Sequence, residues 1–266
     1  MSQTDPRERA FLKDLYLNEL WTSRFTDLLD KSLKADEAPE SIVYFNAGTG
    51  NHVFAVRELF GKGSAITAVC EDDETLKIAA GKAEAMRSDV TFTCSDCEGE
   101  VFDLVILDAS LLSPSELNSS LERAVAACKC GGAVAVLAAT SGSFGEVFSV
   151  LWEYYFATGN ADGGALVENL IGEIPTSSSL EDSAKSLGLE KVTTKVSNEI
   201  FEMGEGEDLS SSILLNKFLF PRWLTSSNEA EISDTATALA NLIKEDDPGL
   251  SFRFSVKATL LTGIKK

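Results

Sequence analysis

Between residues 41 and 138 the chain alternates short apolar runs with segments of helical periodicity. This alternation restricts the fold more than any other feature. The runs are residues 41–45 (SIVYF), 65–70 (AITAVC), 90–94 (VTFTC), 102–108 (FDLVILD) and 133–138 (AVAVLA). The fourth is nearly all apolar, as a strand buried on both faces requires. Helices are predicted between them, over about 51–60, 74–86 and 113–128, with Gly131-Gly132 as a turn before the fifth strand. Strands and helices alternating at this spacing give a doubly wound, mostly parallel α/β sheet with helices on both faces.

The first strand runs straight into Asn46-Ala47-Gly48-Thr49-Gly50, and a helix follows. Strand, glycine turn and helix form the unit that binds nucleotide-like ligands in open α/β sheets. Glycine lets the backbone turn tightly and approach a ligand, and the helix start offers free N–H groups. Ahead of this unit, residues 5–33 read as one long amphipathic helix, with Phe11, Leu15, Leu17, Leu20, Trp21, Phe25, Leu28, Leu29 and Leu33 on its apolar side. Such a helix serves as a lid over a ligand site, as packing, or as a homodimer contact. Residues 1–38 are read as this helical segment and 39–266 as the main domain, with irregular helical insertions around 143–175 and 205–225.

The second half is less regular. A helix over 143–158 carries Trp152, Tyr154 and Tyr155. Residues 159–164 read as a loop and 166–171 as a short apolar piece. A short helix ending at Gly188, a strand over 191–201, an aromatic stretch to Leu224, a helix over 233–244 closed by residues 246–249, and a strand over 251–262 complete the chain.

A formal charge of −19 argues against nucleic acid and against an anionic membrane surface as partners, since both need Lys and Arg. The expected partner is a small molecule. No apolar run reaches the roughly 18 residues of a membrane span. Five cysteines, Cys70, Cys94, Cys97, Cys128 and Cys130, with no secretory segment, point to a reducing cytoplasm. Cys94-x-x-Cys97 and Cys128-x-Cys130 do not make a convincing zinc site: the second spacing is tight and the only histidine, His52, lies elsewhere. No metal is expected.

With these elements in order, the chain resembles the class I S-adenosylmethionine-dependent methyltransferases, by motif over about 41–139 and by topology beyond. The resemblance implies a Rossmann-like sheet of seven strands with the last one antiparallel, and S-adenosylmethionine as cofactor. It places Asn46, Ala47, Gly48 and Gly50 in the glycine motif, and Cys70 and Glu71 at the ribose. Asp96 and Cys97 fall at the adenine, and Asp108 beside the methionine part and the acceptor. Trp152 and Tyr155 fall where such proteins build the acceptor pocket, with residues 218–223 a second aromatic candidate. The implied activity is in-line methyl transfer to a small molecule. No catalytic residue is needed for it beyond a base when the acceptor must lose a proton, and none is assigned.

The sequence departs from the family at three places. Tyr44 stands where an acid is usual, Asn46 replaces the first glycine, and strict register puts Cys70 at the ribose with Glu71 one place late. These departures motivate a second reading, a binding or scaffolding protein that keeps the fold without turnover. A third, a nicotinamide-dependent oxidoreductase or other nucleotide-binding α/β enzyme, suffers from Val53, which stands where the third glycine of the dinucleotide fingerprint belongs.

Overall fold

The computed structural model describes residues 5–34, 38–97, 99, 101–203, 208–246 and 251–266. The N-terminal helix begins as α1 (Pro6–Leu12), widens into a π-helix (Lys13–Thr22) and returns to α geometry in α2 (Ser23–Asp30). Its apolar residues divide between a buried stripe and an exposed set. Leu17, Trp21, Phe25 and Leu29 are buried, whereas Phe11, Leu15 and Leu20 are more than half exposed. A π turn closes i→i+5 rather than i→i+4 bonds, so faces rotate away from the 3.6-residue period.

The sheet is built from β1 (Ser41–Phe45), β2 (Ala65–Val69), β3 (Thr91–Thr93), β4 (Phe102–Asp108), β5 (Cys128–Thr140), β6 (Leu189–Glu202) and β7 (Arg253–Lys265). Its order is β3-β2-β1-β4-β5-β7-β6. The first five strands pair in parallel, for example Val43 with Thr67 and with Val105. β7 runs opposite to β6: the amide of Met203 donates to Phe252 and that of Lys266 to Gly188. The expected seven-stranded, mostly parallel sheet with an antiparallel last strand is what the chain forms.

Between the early strands lie α3 (Asn51–Phe60), α4 (Asp73–Met86) and α5 (Pro114–Ala127). Asp72 caps α4 with Thr75, and Ser113 caps α5 with Glu116, both as reciprocal capping boxes. Val43, Phe45, Val105, Leu107, Val134 and Val136 of the sheet pack with Leu121 of α5 at the centre of the core.

Three local expectations are corrected. Gly131-Gly132 is no turn but a bulge inside β5: Phe102 pairs with Cys128 and Leu104 already with Ala133. Residues 161–164 are not loop; α7 (Ala161–Glu173) starts there, capped by the Asn160 side chain on the Gly163 amide at 2.9 Å. The helix expected at 233 begins four residues earlier as α10 (Glu229–Asp246), because Asn228 accepts from the amides of Ala230 and Glu231. The closing turn expected at 246–249 falls largely outside the described residues.

The remaining helices are α6 (Gly145–Ala157), α8 (Ser177–Ser186), a second π-helix (Leu214–Leu219) and α9 (Phe220–Trp223). The chain divides into two compact units. The larger holds Pro6–Ala138, Ser177–Ser197 and Ala258–Lys266; the smaller is built on Ala139–Thr176 and Asn198–Lys257. The smaller has its own aromatic centre, where Phe144, Phe148 and Trp223 meet with ring centroids 4.9–5.9 Å apart. Among the described residues no helix is long and apolar enough to cross a membrane.

Candidate functional site

The candidate site lies wholly in the larger unit, at the carboxyl ends of β1, β2 and β4. After Phe45 the backbone enters the left-handed region three times, at Asn46 (φ +56°), Gly48 (φ +56°) and Gly50 (φ +83°). Asparagine is among the few side chains that tolerate this region. Asn46 also ties the turn down: its Nδ2 donates to the Asp108 carbonyl at 2.9 Å. The Ala47 amide donates to Val69 at 2.9 Å, so the turn is fixed to both neighbouring strands. Gly50 opens α3, and a Cβ there would stand 2.8 Å from the Phe92 ring.

At the end of β2, Cys70 is buried and its thiol is pushed up to about 12 by burial and then by the charge of Glu71. It stays a neutral packing group. Asp72 is consumed by the α4 cap, while the Glu71 carboxylate accepts from Lys13 Nζ at 2.5 Å. The Lys13 stem passes the glycine turn, its Cε 3.2 Å from where a Gly48 Cβ would stand. One side chain thus spans from the turn to Glu71.

The next residue, Asp14, accepts from Thr49 Oγ1 at 2.6 Å, from Asn51 Nδ2 at 3.3 Å and from Lys82 Nζ. Lys82 reaches Asn51 Oδ1 as well, at 2.6 Å. Burial alone would raise the Asp14 carboxyl; the hydrogen bonds from Lys82, Thr49 and Asn51 and the charge of Lys82 together hold it below its ordinary value.

The floor is polar, with Tyr44 and Ser110 buried in it. Tyr44 Oη lies 3.0 Å from His52 Nδ1, and His52 Nε2 lies 2.9 Å from Asp30 Oδ1. Burial, then the carboxylates of Asp108, Asp30 and Glu71, push the Tyr44 hydroxyl well above its usual range. His52 thus bridges Tyr44 and Asp30 through its two ring nitrogens. The Asp108 carboxylate accepts from the Ser110 amide at 3.0 Å, and burial raises it. Ser110 Oγ in turn accepts from Trp21 Nε1 at 2.9 Å, anchoring the π-helix.

A cleft of about 30 Å³ remains, lined by Lys13, Asn18 and Thr22 on one side and by Tyr44, Asn46, Ala47, Gly48, Thr49, Asn51, His52 and Asp108 on the other. On an α-helix, residues 13 and 22 would face opposite ways; the π-helix brings both to the cleft.

Of the expected cofactor residues, Asn46, Ala47, Gly48 and Asp108 line this cleft, and Lys13 links Glu71 to it. Gly50 supports the turn from beneath, and Cys70 is buried beside Glu71. Asp96 is exposed and Cys97 buried, and neither lines the cleft. Trp152 and Tyr155 belong to the smaller unit. Trp152 is half exposed and stacks on Phe156 at 5.3 Å, whereas Tyr155 packs where a Gly163 Cβ would be. Sequence reasoning missed Lys13, Asp14, Asn18, Thr22, Asp30 and Lys82, which no local motif marks. Cys94 and Cys130 are exposed, none of the five cysteines is in a disulfide, and among the described residues no cluster could hold a metal ion.

The chain is similar to solved structures along nearly its whole length. It matches the YcgJ protein of Bacillus subtilis with a TM-score of 0.57 at 12% identity, covering 91% of this chain and 98% of that one. It matches phosphoethanolamine N-methyltransferase 2 of Haemonchus contortus, in complex with phosphomonomethylethanolamine and S-adenosylhomocysteine, with a TM-score of 0.55 at 14% identity. That match covers 99% of this chain but only 59% of the other. The fold is that of the class I S-adenosylmethionine-dependent methyltransferases. The [4+2]-cyclase SpnF shares it, with a TM-score of 0.51 at 18% identity over 91% of this chain and 80% of that one. No protein-family model and no curated protein matches the sequence.

Proposed function

We propose that the chain binds S-adenosylmethionine at the carboxyl ends of β1, β2 and β4 and transfers its methyl group to a small-molecule acceptor. One observation carries this reading: a single lysine touches both the open backbone of Gly48 and the carboxylate of Glu71, so both lie within one side chain's length. A nucleoside needs that pair, a backbone it can lie against and a carboxylate that accepts from two vicinal hydroxyls. The donor set fits in kind. Glu71 would hold the ribose, Asp96 and Cys97 the adenine, and the Tyr44 oxygen and Asp108 the amino group, with Asn46, Ala47, Gly48 and Gly50 shaping the turn.

When bound, S-adenosylmethionine supplies an activated methyl group on a sulfonium. The protein's work is then orientation and exclusion of water, for which no nucleophile of its own is required. The charge of −19 favours a small acceptor over nucleic acid. Half-exposed Trp152 is the more accessible of the two aromatic residues proposed for that acceptor. Cysteines kept as thiols fit a cytoplasmic setting. Exposed Phe11, Leu15 and Leu20 favour a homodimer through the N-terminal helix, which light scattering tests by mass.

The test is thermal unfolding with S-adenosylmethionine, S-adenosylhomocysteine and, as a control, NAD. A ligand at 100 times its dissociation constant stabilises by about 2.7 kcal/mol, a shift of several degrees. A shift with the two sulfur nucleosides alone, lost in Gly48→Val, supports the reading; no shift at millimolar ligand removes it. Tyr44, Asn46 and Cys70 favour a second reading, nucleoside binding without methyl transfer. The cyclase among the similar structures illustrates how one fold serves several chemistries.

A further inference from the structure

The groups that a nucleoside would need are engaged by the chain itself. Lys13 holds the Glu71 carboxylate at 2.5 Å, and its stem covers Gly48. Asp14 places an anion between Thr49 and Asn51, at the head of α3, where free N–H groups favour negative charge. The space left, about 30 Å³, has room for about two water molecules.

We propose that the π-helix Lys13–Thr22 is a self-inhibitory strap over this site. Lys13 stands in for the ribose at Glu71, and Asp14 stands in for a ligand anion at the head of α3. The strap and the nucleoside compete for the same groups. This inference rests on the nucleoside reading given above.

The two ends of the segment are held by different kinds of contact. Its C-terminal part is held by Trp21, fully buried and bonded to Ser110. Its N-terminal part is held by buried Leu17 and by the polar contacts of Lys13 and Asp14, both partly exposed. The π geometry is what keeps residues 13, 18 and 22 on one side. Rewinding to α geometry about the Trp21 anchor would carry Lys13 off Glu71. A helix with two registers is a two-state element that a ligand can bias. Apparent affinity is then the intrinsic affinity reduced by the fraction of molecules with the strap open.

The experiment is calorimetric titration of the full chain with S-adenosylhomocysteine, comparing wild type with the double variant Lys13→Met and Asp14→Asn. Binding about tenfold tighter in the double variant is expected, together with faster amide hydrogen exchange over residues 13–22 before ligand is added. Equal affinity overturns the strap and leaves the nucleoside site standing. Weaker affinity also overturns it, and makes Lys13 or Asp14 a ligand contact. No binding by either protein removes the nucleoside reading and the strap with it. Should the double variant fail to fold, Lys13→Met alone keeps the aliphatic stem against Gly48 and should tighten binding about threefold.

Discussion

Two glycine pairs in this chain both read as turns in sequence, and one of them is not a turn. Gly48 and Gly50 follow β1, and Gly131 and Gly132 interrupt β5. Around Gly48 the neighbour is the far end of a lysine, which can withdraw. Around Gly132 the neighbours are Cys128 Sγ at 2.8 Å and the carbonyls of Asp103 and Lys129 at 2.9 Å, which cannot. Gly48 leaves room for something to approach; Gly132 lets the chain pack on itself. What stands opposite a glycine, rather than the glycine, separates a ligand turn from a strand bulge.

Substitution can break that comparison. Gly132→Ala should have the largest effect, a loss of about 3 kcal/mol, since a methyl group there overlaps backbone from two strands. Urea denaturation measures it, and a loss below 1 kcal/mol would mean that the bulge rearranges freely. Gly50→Ala should lose about 2 kcal/mol, combining a left-handed backbone with the Phe92 ring at 2.8 Å. Gly48→Ala should lose only about 1 kcal/mol, its strain alone, because Lys13 can move aside. If Gly48→Ala proves as damaging as Gly132→Ala, the strap is as rigid as the core and the contrast fails.

The smallest effect concerns pH. Asp14 has its folded value depressed below its ordinary 3.8, so its contribution is present above that value and is lost as pH falls through the folded one. The stability gap between wild type and Asp14→Asn should therefore be seen at pH 7 and should close in acid. A gap unchanged at pH 2 would assign the contact to hydrogen bonding without charge.

The order of strands and helices was legible because each βα unit announces itself locally, through an apolar run, a cap and a helical period. Misreadings came where one local signal had two physical outcomes. Gly131-Gly132 reads as a turn, yet β5 absorbs it as a bulge. Gly163-Gly164 reads as loop, yet α7 requires Gly163 because the Tyr155 ring lies 2.4 Å from its missing Cβ. The glycine turn of the site was equally legible. Its covering was not. Lys13 and Asp14 sit in an ordinary polar stretch, and their partners lie 58 and 35 residues away. No motif encodes a contact over that distance, and the π geometry that aims Lys13 leaves no mark on hydrophobic spacing.

The position of β7 sets the order in which the molecule can be assembled. It lies between β5 and β6, although both precede it in the chain. Until residues 253–265 have been synthesised, β5 and β6 each present an unpaired edge, and the sheet cannot be completed from its amino-terminal side. Closing it requires a pairing of high contact order, which is slow. A nascent chain stalled before Arg253 is therefore expected to keep its early βα units folded while exposing two open strand edges, the form most prone to pair with another copy.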